Sequence, residues 1–128
     1  MQRQFVQAAE RAKHDLGKYI AFQTRWLPSE ASKEDWQEGL VSDLLQTRRG
    51  PAGTEDAVAV WRRLRLGFAG MEAEPEVVAV DQAIAEIDGR LEDLASGRLS
   101  LDELQGLADT AKAIASHLAA LHKRLRGA

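Results

Sequence analysis

The sequence predicts an all-α protein, an antiparallel up-and-down bundle of about five helices. Two segments in its C-terminal half repeat large aliphatic residues at alternating steps of three and four, which is the heptad spacing of packed helices. The stretch between them, which begins at Gly97, is short, so the two helices should pair as an antiparallel hairpin. Nowhere does the chain alternate apolar and polar residues over the length of a half-buried strand.

Composition supports one folded domain spanning residues 1–128. Hydrophobic residues make up 45% and charged residues 29% of the chain, which favours a packed core over disorder. The sequence contains no cysteine, which excludes disulfides, thiolate metal ligands and thiol nucleophiles. The net charge of −3 disfavours nucleic acid as a partner, because phosphate contacts need a clustered basic surface. No signal-peptide core or membrane-spanning run occurs, so we expect a cytoplasmic protein without a membrane partner.

The first predicted helix runs from about Arg3 to Leu27. Pro28 should end it, because the residue before a proline is pushed out of the helical region. His14 lies opposite the apolar stripe of this helix and should be exposed to solvent. The stripe consists of Phe5, Ala9, Ala12, Leu16, Ile20, Gln23 and Leu27.

Two short helices follow, with a loop between them. The first should begin at Ser32, whose hydroxyl can cap it, and end near Thr47. Glycine and proline in segment 48–53 indicate a loop, and residues 54–56 should cap the next helix, which ends at Gly67 and Gly70. The two helices can lie in tandem along the bundle or fold back as a small hairpin. Their predicted core residues are Trp36, Leu40 and Leu44 in the first and Ala57, Trp61, Leu64 and Phe68 in the second.

The last two predicted helices carry the heptad repeats. Pro75 fits the first turn of the fourth helix, where its missing N–H costs nothing, and Gly97 should end that helix. Ser100 and Glu103 have the spacing of a capping box at the start of the fifth. Further alanines widen both apolar stripes, leaving surface that the first helix, a helical partner or a second copy in a homodimer could cover. The heptad positions are Val77, Val80, Ile84, Ile87, Leu91 and Leu94, then Leu104, Leu107, Ala111, Ile114, Leu118, Leu121 and Leu125.

One suggestion of chemistry comes from the segment His14-Asp15-Leu16-Gly17-Lys18. It resembles the phosphoacceptor region of histidine phosphotransfer modules, four-helix bundles whose reactive helix carries His-x-Leu-Lys-Gly, although Gly and Lys stand here in reversed order. The resemblance implies that His14 accepts a phosphoryl group, that Lys18 offsets its charge, and that Gly17 gives a receiver domain room to approach. The alternatives are an exposed histidine without function and a glycine that lets another helix pack closely.

A group of arginines is a second candidate site. Such side chains could bind an acidic partner surface or a phosphate-bearing ligand, and the alternative is an ordinary solvated helix face. The group comprises Arg48, Arg49, Arg62, Arg63 and Arg65.

Other catalytic and metal-binding patterns are missing from the sequence. His117 and His122 are five residues apart, without the spacing of a metal-binding pair, and we interpret them as residues flanking the last heptad seam. No Gly-x-Ser-x-Gly motif and no phosphate-cradling glycine-rich loop occurs. We therefore expect no metal, no cofactor and no enzymatic activity apart from phosphotransfer through His14.

These observations favour a non-enzymatic protein–protein interaction module, such as a signalling adaptor or a small helical assembly subunit. The alternative is a histidine phosphotransfer protein that relays a phosphoryl group through His14 to or from a receiver domain. In both cases the expected partner is another protein.

Overall fold

The all-α prediction is confirmed by a computed structural model of the chain, which describes residues 2–18, 20, 31–50 and 53–127. These residues form six α-helices and one small two-stranded hairpin. The helices are α1 (Gln2–Ala12), α2 (Lys33–Leu40), α3 (Ala57–Arg65), α4 (Pro75–Asp88), α5 (Leu91–Ala95) and α6 (Leu101–Gly127). The strands are β1 (Arg48–Gly50) and β2 (Gly53–Glu55).

The long helix α6 is the centre of the bundle. It packs against α4, α1 and α2. An ion pair joins Glu74, the residue before α4, to Arg124 near the end of α6, and another joins Arg90, just after α4, to Glu103 near the start of α6. The two helices therefore run antiparallel, as predicted. The buried residues of α6 include the whole predicted seam, Leu104, Leu107, Ala111, Ile114, Leu118, Leu121 and Leu125.

The fourth predicted helix is interrupted, which corrects the expectation of one helix from Pro75 to Gly97. The backbone N–H of Gly89 donates to Ala85 O at 3.1 Å, and that of Arg90 donates to Ile87 O at 2.9 Å, so the chain tightens to a three-residue turn there. Helix α5 then begins at Leu91. Gly97 ends it as predicted, with a φ of +72° that favours glycine.

Helix α1 continues into a π-helical turn at Lys13–Lys18. The extra residue of a π turn widens the buried arc of the helix, and Asp15, Leu16 and Gly17 are buried in succession. Of the predicted stripe, Ala9, Ala12, Leu16 and Ile20 are fully buried, and Phe5 is half-buried. The predicted end of this helix, with Gln23 and Leu27, lies outside the described residues.

Helix α2 begins at the predicted cap. Ser32 Oγ accepts from the backbone N–H of Asp35 at 3.2 Å, and the Asp35 carboxylate accepts from the Ser32 N–H at 3.3 Å, which completes a capping box. Trp36, Leu40 and Leu44 are buried as predicted. After Leu40 the helix passes into a second π-helical turn, Val41–Leu45.

The segment predicted as a loop contains the β1–β2 hairpin, which is a correction. Arg48 pairs with Glu55 and Gly50 with Gly53 in antiparallel register. Each strand has only three residues, which is too short for the alternation of apolar and polar side chains that predicts a strand from sequence. The strands are therefore defined by backbone pairing alone. Asp56 then caps α3, its Oδ1 accepting from the Ala59 N–H at 2.8 Å.

Helix α3 ends in a 3₁₀ turn at Leu66–Phe68, and Gly70 follows with a φ of +94°. The helix packs against α4 and α1, whereas the π turn that ends α2 packs against α3 and α5. The predicted core residues of this helix and its turn are all buried: Ala57, Trp61, Leu64 and Phe68.

Candidate functional site

His14 lies on the solvent-facing side of the π turn that follows α1. Its side chain is 72% exposed, whereas that of the neighbouring Asp15 is only 9% exposed. The ring Nδ1 lies 3.0 Å from Asp15 Oδ1. Because a carboxylate oxygen accepts, this contact favours the neutral tautomer that carries its hydrogen on Nδ1, in which Nε2 holds the lone pair. The pair therefore orients an exposed imidazole in its nucleophilic tautomer.

The other two residues of the phosphotransfer resemblance do not surround His14 as expected. Gly17 is buried, and a Cβ added to it would lie 3.1 Å from Ala115 Cα and 3.1 Å from Leu118 Cδ1 of α6. The glycine thus permits close approach of α6, and the expectation that it clears space for a receiver domain is corrected. The side chain of Lys18 lies outside the described part of the chain.

The three arginines of α3 are each paired with a carboxylate. Arg65 Nε lies 2.9 Å from Asp81 Oδ1, with Arg65 Nη2 2.9 Å from Asp81 Oδ2. Arg62 lies 3.6 Å from Asp88, and Arg63 lies 3.4 Å from Glu55. The predicted basic group is therefore divided, because Arg62 and Arg65 face α4, whereas Arg63 faces the β2 strand.

The remaining members of that group, Arg48 and Arg49, lie on strand β1, where Arg49 pairs with Thr54. Their side chains are outside the described part of the structure.

A surface cleft of about 470 Å³ lies between α1 and α3. Gln7 and Arg11 stand on its α1 side, and Arg63 stands on its α3 side. Gly67 explains how closely the helices approach, since a Cβ at that position would lie 3.0 Å from Ala8 Cβ. The lining residues are Gln7, Ala8, Arg11, Arg63, Leu64 and Gly67.

The two cleft arginines have unused hydrogen-bonding capacity. Within the described residues, Arg11 is exposed, and its side chain forms no hydrogen bond or ion pair. Arg63 Nε is buried and has no partner there either. Leu66, which precedes the lining residue Gly67 in the chain, is 79% exposed. The cleft is thus lined by two arginines together with the apolar residues Ala8 and Leu64.

Arg63 was predicted as a site residue from the sequence, whereas the contribution of Gln7 and Arg11 to this cleft was not. A signal existed, because Gln7, Arg11 and His14 follow one another at steps of four and three along one helix face. What the pattern could not show is that α3 brings Arg63 opposite this face.

A second group of polar atoms is buried in α2 and the turn after it. Asp43 is 1% exposed, and its Oδ2 has no hydrogen-bond partner among the described residues. Burial raises the pKa of Asp43 to about 7. Gln37 donates from Nε2 to Leu94 O. The other buried polar atoms without a partner in this region are Trp36 Nε1, Gln37 Oε1 and Thr47 Oγ1. The sequence did not reveal Asp43, since nothing local marks that carboxylate as buried.

Across the described ranges, no group of histidine, aspartate and glutamate side chains has the arrangement of a metal site. His117 and His122 are half-buried on the flanks of α6, as predicted.

Arg124, near the end of α6, donates hydrogen bonds to Glu76 of α4. These hydrogen bonds hold the pKa of Glu76 below its usual value.

Comparison of the chain with protein-family models, curated proteins and solved structures finds no match to any of the three. In the described part of the chain, no helix combines the length and apolar character needed to cross a membrane.

Proposed function

We propose that the protein is a non-enzymatic interaction module that binds an acidic segment of another protein in the cleft between α1 and α3. The observation that carries the proposal is the placement of Arg11 and Arg63 on opposite sides of that cleft. Arginine binds carboxylates through parallel N–H donors and loses less conformational freedom per hydrogen bond than lysine does.

The surroundings of the arginines favour a protein segment over a lone ion. Ala8 and Leu64 are the apolar residues that line the cleft, and the exposed Leu66 precedes the lining residue Gly67 in the chain. Protein interfaces are enriched in arginine, and their fully buried centres are more apolar than the surrounding surface. A partner segment carrying both acidic and aliphatic residues would match the two kinds of surface.

Fluorescence anisotropy with a labelled peptide of glutamate and leucine residues tests this proposal. Arg11→Glu should weaken binding at least tenfold, because it places a like charge opposite the peptide. Arg62→Glu is the matched control: it makes the same charge change on the 71% exposed Arg62, which does not line the cleft. Equal loss of binding in both variants would indicate only a general charge effect and would contradict the proposed site.

The second candidate function is phosphotransfer through His14, and the hydrogen bond from Nδ1 to Asp15 favours it. In this reaction Nε2 attacks the phosphorus of an acyl phosphate on a receiver domain. The N–P bond forms as the acyl O–P bond breaks, and the carboxylate leaves. Arg11, one turn earlier on the same helix face, would offset part of the added negative charge.

Incubation with a phosphorylated receiver domain tests the second candidate. His14→Gln should abolish labelling without lowering the melting temperature, because the His14 ring is mostly exposed. Asp15→Asn should reduce labelling, since an amide stabilises the positive charge that develops on the ring less than a carboxylate does. Labelling that persists in His14→Gln would remove this function.

A further inference from the structure

The side chain of Arg63 is shared between the cleft and a carboxylate of this chain. It lines the cleft, and its Nη2 lies 3.4 Å from Oε1 of Glu55 at the end of β2. We infer that Glu55 occupies Arg63 as an internal competitor, which an acidic side chain of the partner protein displaces when it enters the cleft. This inference rests on the proposed function.

The Arg63–Glu55 contact is weaker than the Arg65–Asp81 contact, although the two arginine side chains are buried to a similar degree. Charge-assisted hydrogen bonds usually span about 2.7–2.9 Å, and this pair makes a single longer contact. Arg65, by comparison, makes three contacts with Asp81 at 2.9 to 3.0 Å. The side chain of Arg63 is 38% exposed and that of Arg65 is 36% exposed, so the difference lies in geometry rather than in burial.

Arg63 would gain hydrogen bonds by exchanging Glu55 for a carboxylate in the cleft. Its Nε is buried and has no partner in the described structure, so a carboxylate in the cleft can use the full fork of parallel N–H donors once Arg63 leaves Glu55 and turns toward the cleft. A carboxylate held between Arg63 and Arg11 would meet two positive groups, whereas Glu55 meets one. Exchange therefore replaces one long contact with a site of higher positive charge.

The position of Glu55 makes its release compatible with the fold. Glu55 is the last residue of β2, and its backbone stays paired with Arg48 in the hairpin. The cap of α3 is supplied by the following residue, Asp56, and does not involve the Glu55 side chain. Displacing the side chain thus leaves both the hairpin ladder and the helix cap in place.

Titration of the labelled glutamate–leucine peptide into Glu55→Gln tests the inference. Removing the competing charge should lower the Kd about threefold, as expected for loss of a half-buried ion pair that makes one long contact. Asp88→Asn is the matched control, because it releases Arg62 from a long but more exposed ion pair away from the cleft and should leave the Kd unchanged. In a protein that already carries Arg63→Gln, adding Glu55→Gln should leave the Kd unchanged, because the arginine for which Glu55 competes is absent.

The outcomes separate this inference from the proposed function. Peptide binding that is equal in wild type, Glu55→Gln and a second variant, Glu55→Ser, would overturn the competition while leaving the binding module intact. Absence of peptide binding in all three, with circular dichroism showing folded protein, would overturn both. Binding of inorganic phosphate but not of peptide to Glu55→Gln would also overturn both, in favour of a site for small anions.

Discussion

Arg65 holds Asp81 through three hydrogen-bonding contacts of 2.9 to 3.0 Å and thereby fastens α3 to α4. Trp61 Nε1 donates to the same carboxylate at 2.8 Å, so a single aspartate satisfies two side chains of the neighbouring helix. Burial alone would raise the pKa of Asp81, but the hydrogen bonds from Arg65 and Trp61 outweigh it and hold the pKa below its ordinary value.

Asp81→Ala should therefore lower the free energy of unfolding by about 1–2 kcal/mol, since it leaves Arg65 and Trp61 without their acceptor in a half-buried position. Asp88→Ala removes an exposed pair at 3.6 Å and should cost less than about 0.5 kcal/mol. Urea unfolding at pH 7 measures both. Equal effects would show that the contacts of Asp81 with Arg65 and Trp61 contribute no more stability than an ordinary surface ion pair.

The same carboxylate predicts a dependence on pH. Because the folded-state pKa of Asp81 is depressed, its stabilisation is fully present above the ordinary value of 3.8 and is lost as the pH falls through the lower folded pKa. The stability difference between wild type and Asp81→Ala should thus shrink in urea titrations below about pH 4.

For Asp43 we expect the opposite dependence of the free energy of unfolding on pH. Its folded pKa of about 7 exceeds the ordinary 3.8, so the folded state binds the proton more tightly and stability falls as the pH rises from 4 to 7. This pKa shift corresponds to a decrease of at most about 4 kcal/mol in the free energy of unfolding. Asp43→Asn removes the ionisation and should flatten this part of the profile, with a gain over wild type at pH 8. Parallel profiles for the two proteins would mean that folding does not shift the pKa of Asp43.

Helix starts were predictable because the residues that set them are neighbours in the chain. Ser32 and Asp35 cap α2, and Ser100 and Glu103 cap α6, by contacts over three residues. The buried seam of α6 was also predictable, because aliphatic residues at alternating steps of three and four lie on one face of a helix. The break after Asp88 was not, because an isolated glycine is compatible with a continuing helix.

The candidate site was less predictable because it depends on contacts between distant segments. The cleft exists where Gly67 lets α3 approach Ala8 of α1, and no local pattern gives that pairing. The exposure of His14 followed from its position opposite the apolar stripe. The burial of Gly17 did not, since the π turn that widens the buried arc of the helix has no mark in the sequence.

Leu118 provides a direct test of the core around α6. Its side chain is fully buried and lies against the position of Gly17, so Leu118→Ala should cost about 2–5 kcal/mol of stability. Ala120→Ser on the exposed face of the same helix is a control and should change stability by less than about 1 kcal/mol. Thermal melts compare them. A Leu118→Ala protein that melts with the parent would contradict the packing of α6.

Gly17 distinguishes close packing from an opening for a partner. A Cβ at this position would come within 3.1 Å of Ala115 Cα, and backbone cannot turn aside as a flexible side chain can. Gly17→Ala should therefore destabilise the protein by about 1–3 kcal/mol, even though alanine favours helices. Gly106→Ala is the matched control in α6, where nothing lies within 4 Å of an added Cβ, and it should stabilise by about 0.5–1 kcal/mol. If both substitutions stabilise the protein in chemical unfolding, α6 does not contact Gly17, and the glycine is free to serve the exposed face that carries His14.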